Sequence, residues 1–487
     1  MNHEDGRGRR LAETRAGDAM KRLGNGFHRS LGLLPATAVN MTQMCGIGPF
    51  ITIPVMVATM GGPQAVFGWV AGAILAMADG LVWAELGAAM PGAGGTYIYL
   101  REAFRYRTGK LMPFLFIWTV MLTIPLIMST GIIGLVEYLE FFFPHLNWLA
   151  VHLISLGATG LVVLLLYRRI ESIGIISAAL WVIMLVSVVA VIGASLSGFS
   201  LHLACAYPPD AFGGHFIVGL GAGLIIGIYD YMGYNTTAYM GDELSDPGRV
   251  MPRSIMISII GMMIIYLALN IGVVGVLPWQ SVAHSTSIAS VVVQRAWGHT
   301  AAAIVTVLII VTAFSSVFAG LLGGSRVPYQ AARDKLFFAS CGKLHPKYGF
   351  PHIALLAMGL VTAVGSFFDL TEVISMLVTA TVIVQSIAQI VALVVLRRRQ
   401  PGLVRPYRQW LYPWPCIVAM AGWVYVYISG TRLSLVLSSI WIFAGLIAFF
   451  VWAKANTAWP FAPLEVTEAY LHAVAPESGD ALQDKPA

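Results

Sequence analysis

The chain has 487 residues, 58% hydrophobic and 11% charged, with a mean hydropathy of +0.78, whereas soluble domains carry about a quarter charged residues. That composition excludes a soluble globular domain and defines an integral membrane protein with the lipid bilayer as its surroundings. The formal net charge of +6 does not signal nucleic acid as a partner, because the basic residues are not clustered on a soluble module; the charge needs a topological reason.

Residues 1–31 form a polar, charged N-terminal segment. It has no apolar core of the kind a cleaved signal peptide needs, so the first membrane span is expected to direct insertion. A helix needs about 20 apolar residues to cross the hydrocarbon core. Twelve such runs follow in chain order, at 32–60, 65–89, 111–139, 147–166, 173–197, 214–240, 254–277, 300–324, 352–369, 373–396, 411–429 and 434–453. All are read as helices. Lipid leaves backbone groups no partner outside a helix or a closed barrel, and barrel strands are shorter and alternate apolar with polar residues. Residues 454–487 form a C-terminal tail whose Ala-, Pro- and Glu-rich part after Trp459 reads as disordered. Cys45, Cys205, Cys341 and Cys416 are scattered without metal-type spacing, so neither a disulfide framework nor a metal site is expected.

With the spans numbered in order, the N-terminus and every even-numbered connection share one side. Of the 29 Lys and Arg, all but Arg295 and Arg432 fall there. By the positive-inside rule that side, with both termini, is cytoplasmic, and the expected location is the cell membrane. A miscount by one span would scatter these charges, so the asymmetry also supports the number twelve.

Span one contains MCGIGPFITIP at 44–54. Pro49 lacks an N–H and clashes with the preceding turn, and Gly46 and Gly48 lose the most entropy in a helix, so a break is expected here. Five spans on, the sixth contains GIYDYMGYN at 227–235, with Gly227 and Gly233 flanking Asp230. Interrupted helices at corresponding positions of two consecutive five-span blocks point to a transporter's midplane substrate site. Freed N–H groups at such a break can hold a carboxylate and freed carbonyls an ammonium group, so one site can grip a zwitterion.

GIGPF in span one, AELGAAMPGAGGTYIYLREAF at 84–104, GYNTTAYMGDELSDPGRVMPRSI at 233–255 and GGSRVPYQAARD at 323–334 together resemble the amino acid, polyamine and organocation transporter superfamily. The resemblance implies an all-α membrane protein with a five-plus-five inverted repeat, repeat one over 32–200 and repeat two over 214–396. Two extra helices over 397–453 and alternating access around broken helices one and six complete the implied architecture. The family's substrate-carboxylate site falls on Cys45, Gly46, Ile47 and Gly48. Its amino-group site and gate fall on Ile228, Tyr229, Asp230, Tyr231 and Gly233. Many members carry an aromatic residue followed by Ala where this chain has Tyr229 and Asp230.

A carboxylate at mid-membrane costs about 2.5–3.5 kcal/mol on insertion scales, so it is paired, protonated or lining a cavity. Asp230 is therefore a candidate to carry a proton, to pair a substrate ammonium, or to cap its own frayed helix. Asp79 in span two poses the same question. An acidic residue at its distance before AEL also resembles the polyamine-transporting branch, and a structural partner on a neighbouring helix is the competing role. Some proton-coupled members place a Lys on span five, but 173–197 carries no charge, so that device is absent. Ser315 and Ser316 in span eight offer oxygen ligands for sodium together with span-one carbonyls, with helix packing as the competing reading.

Other patterns carry less. GLGAG at 219–223 lies in a span and follows no strand, so it is no nucleotide loop. The glycosylation pattern at Asn235 sits at membrane depth. Glu137, Glu140, Asp369 and Glu372 are expected at solvated span ends, and Asp242, Glu243, Asp246 and Arg249 in a cytoplasmic connection, either as an inner-gate network or as solvated charges. The expectation is a secondary active transporter, not an enzyme, without cofactor, importing an amino acid with a proton as coupling ion, or else sodium. The alternatives are a polyamine or organic cation carrier, an amino acid exchanger and, from another class, a membrane sensor. A monomer or homodimer is expected.

Overall fold

A computed structural model describes residues 31–91, 95–144, 146–167, 173–241, 244–346 and 350–461, with the backbone alone for 173–181 and His215. The N-terminal segment, the tail after 461, Arg168, Arg169, Lys347 and the Asp242–Glu243 part of the inner-gate reading lie outside the described residues. Among the described residues regular structure is helical, apart from one isolated bridge between Leu31 and Leu244.

Helices α1 (Leu33–Met44) and α2 (Gly48–Met60) meet at 52° across Cys45, Gly46 and Ile47. Pro49 takes the second position of α2, where its missing N–H needs no partner. Pro54, farther along, deprives the Phe50 carbonyl of its helical donor, and the Tyr138 hydroxyl donates to that carbonyl instead at 3.1 Å. Then follow α3 (Val66–Ala89), the basic α4 (Thr96–Thr108), α5 (Leu111–Leu139), α6 (Trp148–Leu166) and α7 (Ile173–Ser197). The second half runs through α8 (His215–Tyr231), α9 (Pro247–Val276), α10 (His299–Gly324), α11 (His352–Gly365) and α12 (Leu370–Arg399), the last holding a π-helical turn at Val382–Ile387. α13 (Trp414–Ile428) and α14 (Arg432–Ala455) complete the bundle.

Among the described residues seven helices, α3, α5, α6, α9, α10, α12 and α14, are long and apolar enough to cross a membrane, and the bent α1–α2 pair is an eighth candidate. Val182–Ser197, Phe216–Tyr231, α11 and α13 are shorter apolar helices. Each of the twelve apolar runs coincides with one of these elements. α6 and α14 bury little of their surface, and α14 exposes Val436, Ile440, Phe443, Ile447 and Val451 at helical spacing, as a lipid-facing stripe does. The core lies inside. α3 packs on α8, α9 and α13, α5 on α10, α11 and α12, α1 on α9 and α2 on α8.

The second helix break lies later than the sequence predicts. α8 continues unbroken through Gly227, Ile228, Tyr229 and Asp230 to Tyr231. The chain leaves the helix at Met232, passes Gly233 at φ +121°, and resumes as one turn at Thr236–Tyr239. Gly227 is a packing glycine instead: a Cβ there would lie 2.7 Å from the Gly68 carbonyl oxygen of α3, and one at Gly72 would lie 3.0 Å from the Gly227 carbonyl carbon. Close backbone approach is the general use of small residues between membrane helices. Gly227→Ala should force this seam apart and destabilise the protein by about 1–3 kcal/mol, the range for overpacking, read as a lower melting temperature in detergent.

Of the four acidic residues expected at solvated span ends, Asp369 is exposed, while Glu137, Glu140 and Glu372 are half-buried; Asp246 and Arg249 are exposed and 3.8 Å apart. Glu372 accepts a 2.7 Å hydrogen bond from the Thr431 hydroxyl, which ties α12 to the start of α14.

Candidate functional site

The two breaks touch. A Cβ on Gly233 would meet the Gln43 carbonyl carbon at 2.9 Å and the Met44 nitrogen at 3.0 Å, and its positive φ is accessible to glycine at no steric cost. Four polar contacts bind the broken ends together. The Tyr266 hydroxyl of α9 lies 2.7 Å from the Met44 carbonyl at the end of α1 and 2.8 Å from the Asp230 carbonyl in the last turn of α8, so its one proton divides between carbonyls at the two half-helix ends. Asn40 of α1 accepts from the Thr237 amide at 2.9 Å and donates to the Thr237 hydroxyl at 3.3 Å.

Asp230 sits where α8 faces the start of α2 and is 2% exposed. Its Oδ2 accepts from the Thr52 hydroxyl at 2.6 Å. That hydroxyl also lies 2.9 Å from the Gly48 carbonyl one turn back, and its one proton divides between the two acceptors. Asp230 Oδ1 is buried without a hydrogen-bond partner and occupies the space a Cβ on Gly48 would need. α2 itself begins without a side-chain cap, and the amides of Gly46, Ile47 and Gly48 find no backbone carbonyl among the described residues. A buried, uncapped helix start is a place for a ligand, and its dipole favours an anion.

The remaining predicted residues line or support this point. Cys45 is a buried free thiol in the bend. A Cβ on Gly46 would come 3.5 Å from the Ser316 hydroxyl, while Ile47 reaches toward Gly134 of α5. Tyr229 lies beside Gly48 and shares a 2.6 Å hydrogen bond with Thr130 of α5. Ile228 and Tyr231 are fully buried, and the Tyr231 ring packs edge-on against Tyr266 at 5.3 Å. Ser316 thus adjoins the bend, whereas Ser315 donates to the Val311 carbonyl of its own helix at 2.6 Å.

Asp79 is placed elsewhere in the hydrogen-bond network. Its Oδ2 accepts from Trp83 Nε1 at 2.9 Å and from the Tyr234 hydroxyl at 2.5 Å, and its Oδ1 accepts from Trp423 Nε1 at 3.1 Å. It fastens α3 to the second break itself, at Tyr234, and to α13. Six residues on, Glu85 is fully buried and takes both Nε and Nη2 of Arg397, at 2.7 and 2.5 Å, with Arg405 at 3.7 Å and the Gln409 amide at 2.9 Å. Sequence reasoning missed Thr52, Thr130, Tyr266, Asn40 and the Glu85 cluster; the polar side chains of Asn40 and Tyr266 inside apolar runs were the available signal. Tyr266→Phe removes the hydroxyl that holds both half-helix ends, worth about 0.5–1.5 kcal/mol. The expected result is uptake slowed roughly two- to tenfold at unchanged protein yield.

Two broken helices meeting at a buried carboxylate inside an apolar helical bundle are the marks of a membrane carrier for small solutes, and the described residues contain no cluster of His, Cys, Asp and Glu that could hold a metal ion. The chain belongs to the amino acid permease family, whose profile matches residues 31–465. It is similar to the branched-chain amino acid permease BcaP of Bacillus subtilis (24% identical over 88% of this chain and 94% of the relative). It is also similar to the serine/threonine exchanger SteT of the same organism (26% identical over 82% and 91%) and to the human cationic amino acid transporter 4 (24% identical over 73% and 58%). These relatives are transporters, not enzymes.

Proposed function

We propose that the protein imports amino acids across the cell membrane in symport with protons, by alternating access around the two helix breaks. In this reading twelve spans are arranged as two inverted five-helix repeats, 32–200 and 214–396, followed by α13 and α14, with both termini cytoplasmic. The substrate carboxylate is held by the free amides of Gly46, Ile47 and Gly48, its ammonium group by the Ile228–Gly233 segment, and Asp230 carries the proton. The observation that carries the reading is the unpartnered, buried Oδ1 of Asp230 beside the uncapped start of α2. A proton suits that carboxylate better than a sodium ion suits the paired serines, since only Ser316 adjoins the bend while the Ser315 hydroxyl is bonded to the Val311 carbonyl of its own helix. The three donors on Asp79 also remove one of the two carboxylates on which a polyamine reading depends.

Proteoliposomes given an imposed pH or sodium gradient, with leucine, isoleucine, valine, serine, threonine and putrescine as tracers, test this directly. Accumulation of an amino acid on an inward proton gradient, without competition by putrescine, is expected; accumulation on sodium alone would refute the proton reading. The likeness to a serine/threonine exchanger favours exchange as a second reading, in which uptake needs amino acid inside and neither gradient drives accumulation.

A further inference from the structure

We propose that Asp230 and the carboxylate of a bound amino acid share one negative charge at the amino end of α2. An amino acid is then accepted only with a proton on Asp230, whereas an amine lacking a carboxylate is accepted by ionised Asp230. The inference rests on the reading above that the substrate is an amino acid seated at the α1–α2 bend.

The geometry leaves room for one anion. α2 is 13 residues long and begins buried and uncapped, and the amides of Gly46, Ile47 and Gly48 at and just before its start have no backbone partner among the described residues. Asp230 Oδ1 already stands against Gly48, at the edge of those amides, with no hydrogen-bond partner of its own. A substrate carboxylate on the amides therefore comes into contact with Oδ1. The titratable groups around Asp230 are the thiol of Cys45 and the phenols of Tyr229, Tyr231 and Tyr266. None of them is cationic, and among the described residues no Lys, Arg or His forms an ion pair with Asp230. Two carboxylates in a shared dry site cannot both stay ionised. The proton comes from the aqueous phase onto Oδ1, which then donates a charge-assisted hydrogen bond to the substrate carboxylate. Thr52 serves both forms, donating to Oδ2 when Asp230 is ionised and to the Gly48 carbonyl when it is protonated. An ammonium ion without a carboxylate pairs with ionised Oδ1 directly and brings no proton.

Purified wild-type protein in nanodiscs is titrated calorimetrically in two buffers of different ionisation enthalpy, which counts the protons bound with each ligand. The probes are L-leucine against 3-methylbutylamine, its decarboxylated counterpart, and L-serine against ethanolamine. The complexes with amino acid and with amine are expected to differ by one proton at every pH tested, because one always contains protonated and the other ionised Asp230. In Asp230→Asn, which mimics the protonated form, amino acid binding should lose its proton linkage and amine binding should fall at least tenfold. Equal proton counts for the two ligand types in the wild-type protein would overturn the inference alone. Amines binding while neither amino acid does would overturn the amino acid reading, and the shared-charge proposal with it.

Discussion

Asp230→Asn is expected to fold, to exchange amino acids across a membrane, and to lose proton-driven accumulation. The amide has the size of the carboxylate it replaces and still accepts from Thr52 through its oxygen, so the packing of α8 on α2 is kept. What disappears is the one carboxylate that, among the described residues, is hydrogen-bonded to α2 at the bend. If one proton accompanies each amino acid, a pH gradient of one unit is worth about 1.4 kcal/mol and supports roughly tenfold accumulation. The variant's steady-state ratio should fall to about one under the same gradient, while counterflow of labelled against unlabelled amino acid continues. The check is to measure both in one proteoliposome preparation. Accumulation and pH profile identical to the wild type would remove Asp230 from the coupling mechanism.

The largest loss of stability is expected from Glu85→Ala. Glu85 is fully buried, and its two oxygens serve a bidentate Arg397, the nearby Arg405 and the Gln409 amide. A buried pair adds little over a well-packed apolar substitute, but removing one partner strands the other, at a cost of about 3–5 kcal/mol. Here the alanine leaves the Arg397 guanidinium, stacked on Tyr412 at 3.8 Å, without its carboxylate, and a cavity in α3 besides. The cluster fastens the end of α3 to the end of α12 and the connection to α13, so its loss should loosen that end of the bundle. Thermal unfolding in detergent, followed by size-exclusion chromatography, should show a large fall in melting temperature and in monodisperse yield. A variant as stable as the wild type would show that the cluster contributes nothing net to the fold.

Much of the architecture was readable because membrane insertion writes itself locally. Apolar runs mark the helices and led to the reading of twelve spans, Gly46, Gly48 and Pro49 mark the bend between α1 and α2, and the one-sided Lys and Arg led to the reading of cytoplasmic termini. The second break was placed too early because Gly227 and Gly233 look alike in a sequence, although one packs against Gly68 and the other turns the chain at positive φ. Which task a glycine performs depends on the neighbouring helix. The partners of Asp230 and Asp79 were hidden for the same reason. Thr52 stands 178 positions from Asp230 and Trp423 stands 344 from Asp79, separations that no helical period reports. Both aspartates look equivalent as isolated charges in apolar runs, yet one has both oxygens occupied by three donors and the other keeps an oxygen free.

Coupling of amino acid movement to a proton through Asp230 is tested most directly by reversing the usual experiment. Proteoliposomes carrying a luminal pH indicator are clamped at zero voltage, given equal pH on both sides, and exposed to an inward gradient of a transported amino acid. The wild-type protein should acidify the lumen as the amino acid enters, and Asp230→Asn, with unlabelled amino acid also supplied inside, should take up labelled amino acid by exchange without acidification. Amino acid entry into wild-type vesicles at constant luminal pH, or the same acidification in the variant, would contradict the account.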